Sequence, residues 1–305
     1  MEEFMRSVLL NLSKQKGAND LAKRYGLRFG AGRFVAGDSL ETAIPHVRAL
    51  NDAGMLVTLD HLGEFVADAS EAEESADYCI RTLDAIAQAQ VRANLSLKLT
   101  QVGLDIDPSL CFDNMRRIVA RAKQYGNFVR IDMEDFSHCQ QTIDLLLELR
   151  REFDNVGTVM QAYLYRAADD VASLAAQGIP LRIVKGAYKE PTEVAFPEKT
   201  AVDANYKQLI EISLGVGNYT AIATHDEALI AWTKAYVERE GIARDRFEFQ
   251  MLYGIRPGLQ RDLVKEGYAM RIYVPYGTDW YGYFMRRLAE RPANLAFVLK
   301  SMWRD

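Results

Sequence analysis

Short apolar or β-branched runs alternate with longer amphipathic stretches along most of the chain. The runs are MLVTLD ending at Asp60, NLSLKL ending at Leu99, NFVRID ending at Asp132, GTVMQAYL around Gln161 and PLRIVKG around Arg182. TAIATH ending at His225, FEFQML around Gln250 and AMRIYV ending at Val274 complete the series. Nearly continuous apolar strands suit a parallel sheet covered by helices. The intervening segments, such as SADYCIRTLDAIAQAQ and SLCFDNMRRIVARAKQ, carry apolar residues at helical spacing. About eight strand–helix units in succession predict a (β/α)8 barrel. No linker, low-complexity stretch or short repeat divides the chain, so residues 1–305 read as one domain with residues 1–50 as a helical N-terminal segment.

Local signals refine the two ends. The segment from Ser39 to Asn51 reads as a helix capped by Ser39. The preceding KRYGLRFGAGRFVAG contains GAG, but no strand precedes it and the spacing is wrong for a dinucleotide fingerprint. After Val274, Pro275 and Gly277 are expected to break the last strand, and Thr278 or Asp279 to cap a final helix. On that helix Tyr283, Arg286, Arg287 and Glu290 fall on one broad face. Adjacent arginines there can grip a carboxylate through paired, charge-assisted hydrogen bonds.

Composition narrows the function classes. A net charge of -5 gives no global basic field for nucleic acid. The three cysteines, Cys79, Cys111 and Cys139, form no CxxC and read as reduced thiols of a reducing compartment. No apolar run is long enough to span a bilayer, and MEEFMRSVLLNLSKQ lacks the cleavage site of a secretory signal. The expected location is cytoplasmic, and an amphipathic helix lying on a membrane surface is compatible with it.

Barrel enzymes place their chemistry at the carboxyl ends of the strands. Those ends here carry Lys98, Asp132, Gln161, Arg182, Lys185, His225, Gln250 and Tyr273. Each alone has a structural explanation as a cap, a surface group or a loop contact. So many polar groups within apolar strands are costly to bury without ligands, which points to a site. His46, His61, His138 and His225 show no metal-ligand spacing, so no metal is expected. GxSxG and GxxxxGK[ST] are absent. Clustered cations with aromatics fit a small anionic ligand or a phosphate-bearing cofactor.

LRIVKGAY (181–188), VRIDMED (129–135), ATHD (223–226), FQMLYG (249–254) and YVPYG…YFMRRLAE (273–290) occur in an order that resembles the monofunctional bacterial proline dehydrogenases, over nearly the whole chain. The resemblance implies a distorted TIM-like (β/α)8 barrel with extra N-terminal helices and the last helix over the barrel mouth. It implies FAD bound at the strand carboxyl ends without a Rossmann domain. Met133, Gln161, Arg182, Lys185, Gly186, Ala187, Thr224 and His225 match flavin-contacting positions. Asp132 and Arg182 match the catalytic acid and base positions. Lys98, Arg286 and Arg287 would bind the substrate carboxylate, and Tyr188, Leu252 and Tyr273 would wall its ring. The implied reaction takes L-proline to 1-pyrroline-5-carboxylate by hydride transfer to flavin N5, with electrons passing to a membrane quinone. Tyr253 departs from the histidine found there in some relatives. Two other readings compete: a Schiff-base lyase using Lys98 or Lys185 with Asp132, and a non-enzymatic barrel that senses an amino acid.

Overall fold

Eight short strands close into one parallel barrel in chain order, each paired with the next and the last with the first. The computed structural model describes residues 31–63 and 66–290; for Ala31 and for residues 286–290 it describes the backbone alone. The strands are β1 (Leu56–His61), β2 (Ala93–Leu97), β3 (Val129–Ile131), β4 (Val156–Gln161), β5 (Leu181–Val184), β6 (Thr220–Ala223), β7 (Phe247–Leu252) and β8 (Met270–Tyr276). The helices are α1 (Leu40–Asp52), α2 (Ala69–Ala89), α3 (Pro108–Gln124), α4 (Cys139–Leu149), α5 (Ala167–Ala176), α6 (Lys199–Gly215), α7 (Glu227–Arg239), α8 (Pro257–Lys265) and α9 (Trp280–Glu290).

Periodicity explains the layers. On α2 the buried residues Ala72, Ala76, Cys79, Leu83 and Ile86 recur three or four apart, forming the stripe that a wall helix presents to a sheet. Burial pushes the Cys79 thiol up to about 12, so it behaves as a small apolar side chain. On the strands the period is two. Arg182 lies between Leu181 and Ile183, both fully buried in the apolar core. Its own side chain reaches residues of β2 and β7, which from β5 requires crossing the lumen. The barrel interior is therefore polar along much of its height, and the apolar core lies between sheet and helices.

Several strands end earlier than their apolar pattern suggests. β2 stops at Leu97, β3 at Ile131 and β6 at Ala223, leaving Lys98, Asp132, Thr224 and His225 just beyond the ladder. β8 runs on through Pro275, where a break was expected. Proline lacks only a donor, and here its carbonyl accepts from Ala36 N–H at 3.0 Å while Gly277 N–H donates to Gly37 at 2.9 Å. Ser39 caps α1 as expected, in a reciprocal box with Thr42.

α1 packs against β1, β8 and α2, covering the seam where the barrel closes. That is the place a helix following β8 would take in a regular barrel. α9 instead joins a separate apolar cluster: Trp280, Tyr283, Phe284 and Met285 pack with Phe34, Val35 and Leu62, and Ile255 lies against them. Leu62 follows β1 and Ile255 follows β7, so the start of α9 sits on loops at the carboxyl end of the barrel. The expected N-terminal helix preceding residue 31, and the side chains of Arg286, Arg287 and Glu290, lie outside the described residues.

Candidate active site

The polar interior converges on Arg182. Its Nε donates to Gln250 Oε1 at 2.6 Å and its Nη1 to Asp132 Oδ1 at 2.6 Å. Ser96 donates to the same Asp132 oxygen at 2.7 Å, and Tyr273 donates its hydroxyl proton to Asp132 Oδ2 at 2.7 Å. The guanidinium also lies 5.3 Å from the centre of the Tyr273 ring. β2, β5, β7 and β8, with the residue just after β3, thus each contribute to one network at the upper end of the lumen. Burial, followed by the nearby Asp132 and Asp60 carboxylates, pushes the Tyr273 hydroxyl well above its ordinary value. Tyr273 is therefore a permanent donor to Asp132. Arg182 is 4% exposed, yet its Nη2 is buried with no hydrogen-bond partner. A buried guanidinium N–H left open costs free energy of order 1–3 kcal/mol, so this atom marks where an acceptor belongs.

A second group forms beside the first. Lys185 Nζ meets Asp226 Oδ2 at 2.9 Å and Asp203 Oδ1 at 2.5 Å. Lys199 also pairs with Asp203. The hydrogen bond from Lys185 pulls the Asp226 carboxyl down to about 2, against a smaller opposing effect of burial. Thr224 accepts from Asp226 N–H at 3.1 Å, which shapes the turn leaving β6. His225 Nε2 accepts the N–H of Leu252 at 3.0 Å, so its ring proton resides on Nδ1. Gly186 has φ +116, and a Cβ there would land 2.0 Å from the Tyr163 ring. Only glycine fits, and the backbone after β5 is correspondingly bare. Gln161 donates to the carbonyl of Glu134 at 2.7 Å. Burial raises the Glu134 carboxyl above the usual glutamate range, against hydrogen bonds from Thr100 that lower it.

The expected substrate-facing residues are more scattered. Lys98 Nζ lies 4.0 Å from the Asp60 carboxylate. Leu252 closes β7 and is half-buried. Ala187 and Tyr188 are exposed on the loop after β5. Met133 is buried, with 6% exposure. Tyr253, the departing residue, donates to or accepts from His46 Nδ1 at 3.1 Å.

Sequence reasoning missed Ser96 and the layer beneath it. Arg130, Glu248 and Arg271 also point into the lumen, where Arg271 Nε donates to Glu248 Oε1 at 2.7 Å. Arg130 is 3% exposed, and burial draws its guanidinium down to about 9. A signal was present. In NLSLKL, VRID, FEFQML and MRIYV the polar residues Asn94/Ser96/Lys98, Arg130/Asp132, Glu248/Gln250 and Arg271/Tyr273 sit two apart, the spacing of one strand face.

This end of the barrel carries a buried guanidinium with one unpartnered N–H at Arg182, a bare backbone at Gly186 and an ammonium at Lys185. Among the described residues, no group of acidic, histidine or cysteine side chains could hold a metal ion.

The chain is similar to known proteins along nearly its whole length. The family model described as proline dehydrogenase matches residues 43–300. Proline dehydrogenase 1 of Bacillus subtilis (strain 168) is 52% identical over 299 residues, covering 98% of this chain and 99% of that protein. Proline dehydrogenase of Deinococcus radiodurans is 45% identical over 307 residues, covering 99% of each. Among solved structures, proline utilization A (PutA) from Bdellovibrio bacteriovorus, inactivated by N-propargylglycine, matches with a TM-score of 0.81 and 28% identity over 90% of this chain. The chain spans 34% of that larger structure.

Proposed function

The chain belongs to the proline dehydrogenase family, and from that premise we propose that it oxidises L-proline to 1-pyrroline-5-carboxylate with FAD at the mouth of the barrel. The observation that carries this reading is the unpartnered Nη2 of the buried Arg182. Bound there, FAD would supply the acceptor for the hydride that leaves the carbon next to the proline nitrogen. Arg182 would face the isoalloxazine ring, where a fixed cation favours negative charge on an acceptor. Lys185, the backbone at Gly186 and Ala187, Thr224, His225, Gln161 and Met133 would hold the cofactor.

This chain's residues then do three things. Asp132 accepts from Arg182, Ser96 and Tyr273, so it orients the cation and the aromatic wall together. Lys98, with Arg286 and Arg287 on α9, would bind the substrate carboxylate. Clustered cations also disfavour the protonated amine, so proline keeps the nitrogen lone pair that assists hydride departure. Tyr273, Leu252 and the start of α9 would exclude water from the ring. Electrons would leave to a membrane quinone through a peripheral contact with the inner face of the cell membrane. No helix among the described residues is long and apolar enough to cross a membrane.

The lyase reading needs a lysine aimed at a carbonyl carbon. Lys185 is instead engaged by Asp226 and Asp203, and Lys98 lies beside Asp60. Mass spectrometry of proline incubated with the protein and an electron acceptor tests the proposal. A product lighter by two hydrogens is expected. Unchanged proline, or a borohydride-trapped adduct on a lysine, would contradict it.

A further inference from the structure

The lumen below Arg182 holds groups that the reaction itself does not use. Gln250 Oε1 accepts from Arg182 Nε at 2.6 Å, and Gln250 Nε2 donates to Glu248 Oε1 at 2.5 Å. That same Glu248 oxygen accepts from Arg271 Nε at 2.7 Å, and Arg271 Nη1 is tied to the Val57 carbonyl at 2.8 Å. Glu248 is 1% exposed and Gln250 4%. An ionised carboxylate only accepts hydrogen bonds, whereas an amide has one donating and one accepting end. Glu248 must therefore face the NH2 of Gln250, which leaves the amide oxygen towards Arg182. Were the amide reversed, two acceptors would meet at Glu248 and two donors at Arg182.

We propose that Glu248 and Gln250 are positioning residues for the oxidation, forming a polarity relay from Arg271 that fixes the rotamer of Arg182 and so the place of its unpartnered Nη2. The relay rests on the proposed role of Arg182 beside the flavin. Arg182 would otherwise be held at Nη1 alone, by Asp132 and Ser96, and its plane could turn about that contact. The interior charges are arranged for this purpose. Burial opposes the charge on Glu248, but Arg271 from β8 and Gln250, with Tyr219 just before β6, outweigh it and hold the carboxyl below the usual glutamate range, so it stays ionised. The lower layer thereby supplies a fixed acceptor deep in the barrel, and the relay transmits its orientation upward without touching substrate or cofactor.

The test compares the full chain, purified with its flavin, with Gln250→Met. This change keeps the side-chain volume and removes both hydrogen bonds. The relay predicts retained flavin, a KM for proline within about twofold of the parent and a kcat lower by about tenfold. It also predicts weaker stabilisation of the reduced flavin by about tenfold, a fall of about 30 mV in a two-electron midpoint potential. A residue of purely structural importance would lower thermal stability without moving the potential. If the Met variant does not fold, Gln250→Glu decides: it keeps an acceptor for Arg182 but opposes Glu248. At the alkaline end of the assay range, where the new carboxylate is ionised, kcat is expected to fall by about tenfold. Parent-like kcat and potential in the variant that folds overturn the relay while a parent bleached by proline leaves the activity standing. A parent without flavin contradicts the activity, and the relay falls with it.

Discussion

Asp132 shows how much one carboxylate can organise. Three donors from three strands meet on its two oxygens. Removing one of them leaves a half-buried acceptor short and frees an aromatic wall. Tyr273→Phe should therefore destabilise the protein by about 1–2 kcal/mol in a urea melt. The same change should lower kcat more than it raises KM, because the ring face is kept while the tether is lost. Wild-type stability together with wild-type kcat would show that the Tyr273–Asp132 bond does nothing. Asp132, Arg182 and Tyr273 were legible in the sequence because each interrupts an apolar strand. Glu248 and Arg271 were not singled out, since a charged residue in a short strand is more often turned to water. Only closure of the barrel makes their face an interior.

Among the elements, α9 is the one whose place the pattern could not determine. An amphipathic helix after β8 ordinarily joins the wall, and its periodicity is the same in either position. What decides is that α1 already covers the β8–β1 seam, a tertiary fact invisible in a local window. The turn at Pro275 was misread for a related reason: the partner of its carbonyl, Ala36, is far away in sequence. With its first turns seated on Leu62 and Ile255, α9 continues through Arg286 and Arg287 to Glu290. Arg286→Met and Arg287→Met should each raise the proline KM by at least about tenfold with flavin content unchanged, since a charged hydrogen bond contributes about 1.5–3 kcal/mol. Steady-state kinetics on the two variants provide the check. Unaltered KM values in both would remove the carboxylate clamp from the account.

At the scale of the whole molecule, the barrel separates stability from chemistry, and its loops can be probed by pH. His138 bridges the loops after β2 and β3, its Nε2 donating to Asp105 Oδ1 at 2.9 Å and its Nδ1 to Asp135 Oδ1 at 2.6 Å. Burial opposes its charge, but those two carboxylates outweigh burial and raise the imidazole above its usual 6.5. The sign follows directly. A raised folded-state value stabilises the protein fully below the unfolded value and is lost as pH rises through the folded one. His138→Gln should therefore lower Tm at pH below 6.5 and converge on the parent towards alkaline pH. A Tm difference that is constant across the range would show that His138 acts only through packing.

The most direct test of the central claim is the absorbance spectrum of the purified full chain, recorded without oxygen before and after adding L-proline. Flavin bands that bleach with proline are the result this account predicts. A colourless protein, or flavin bands that proline leaves untouched, would contradict it.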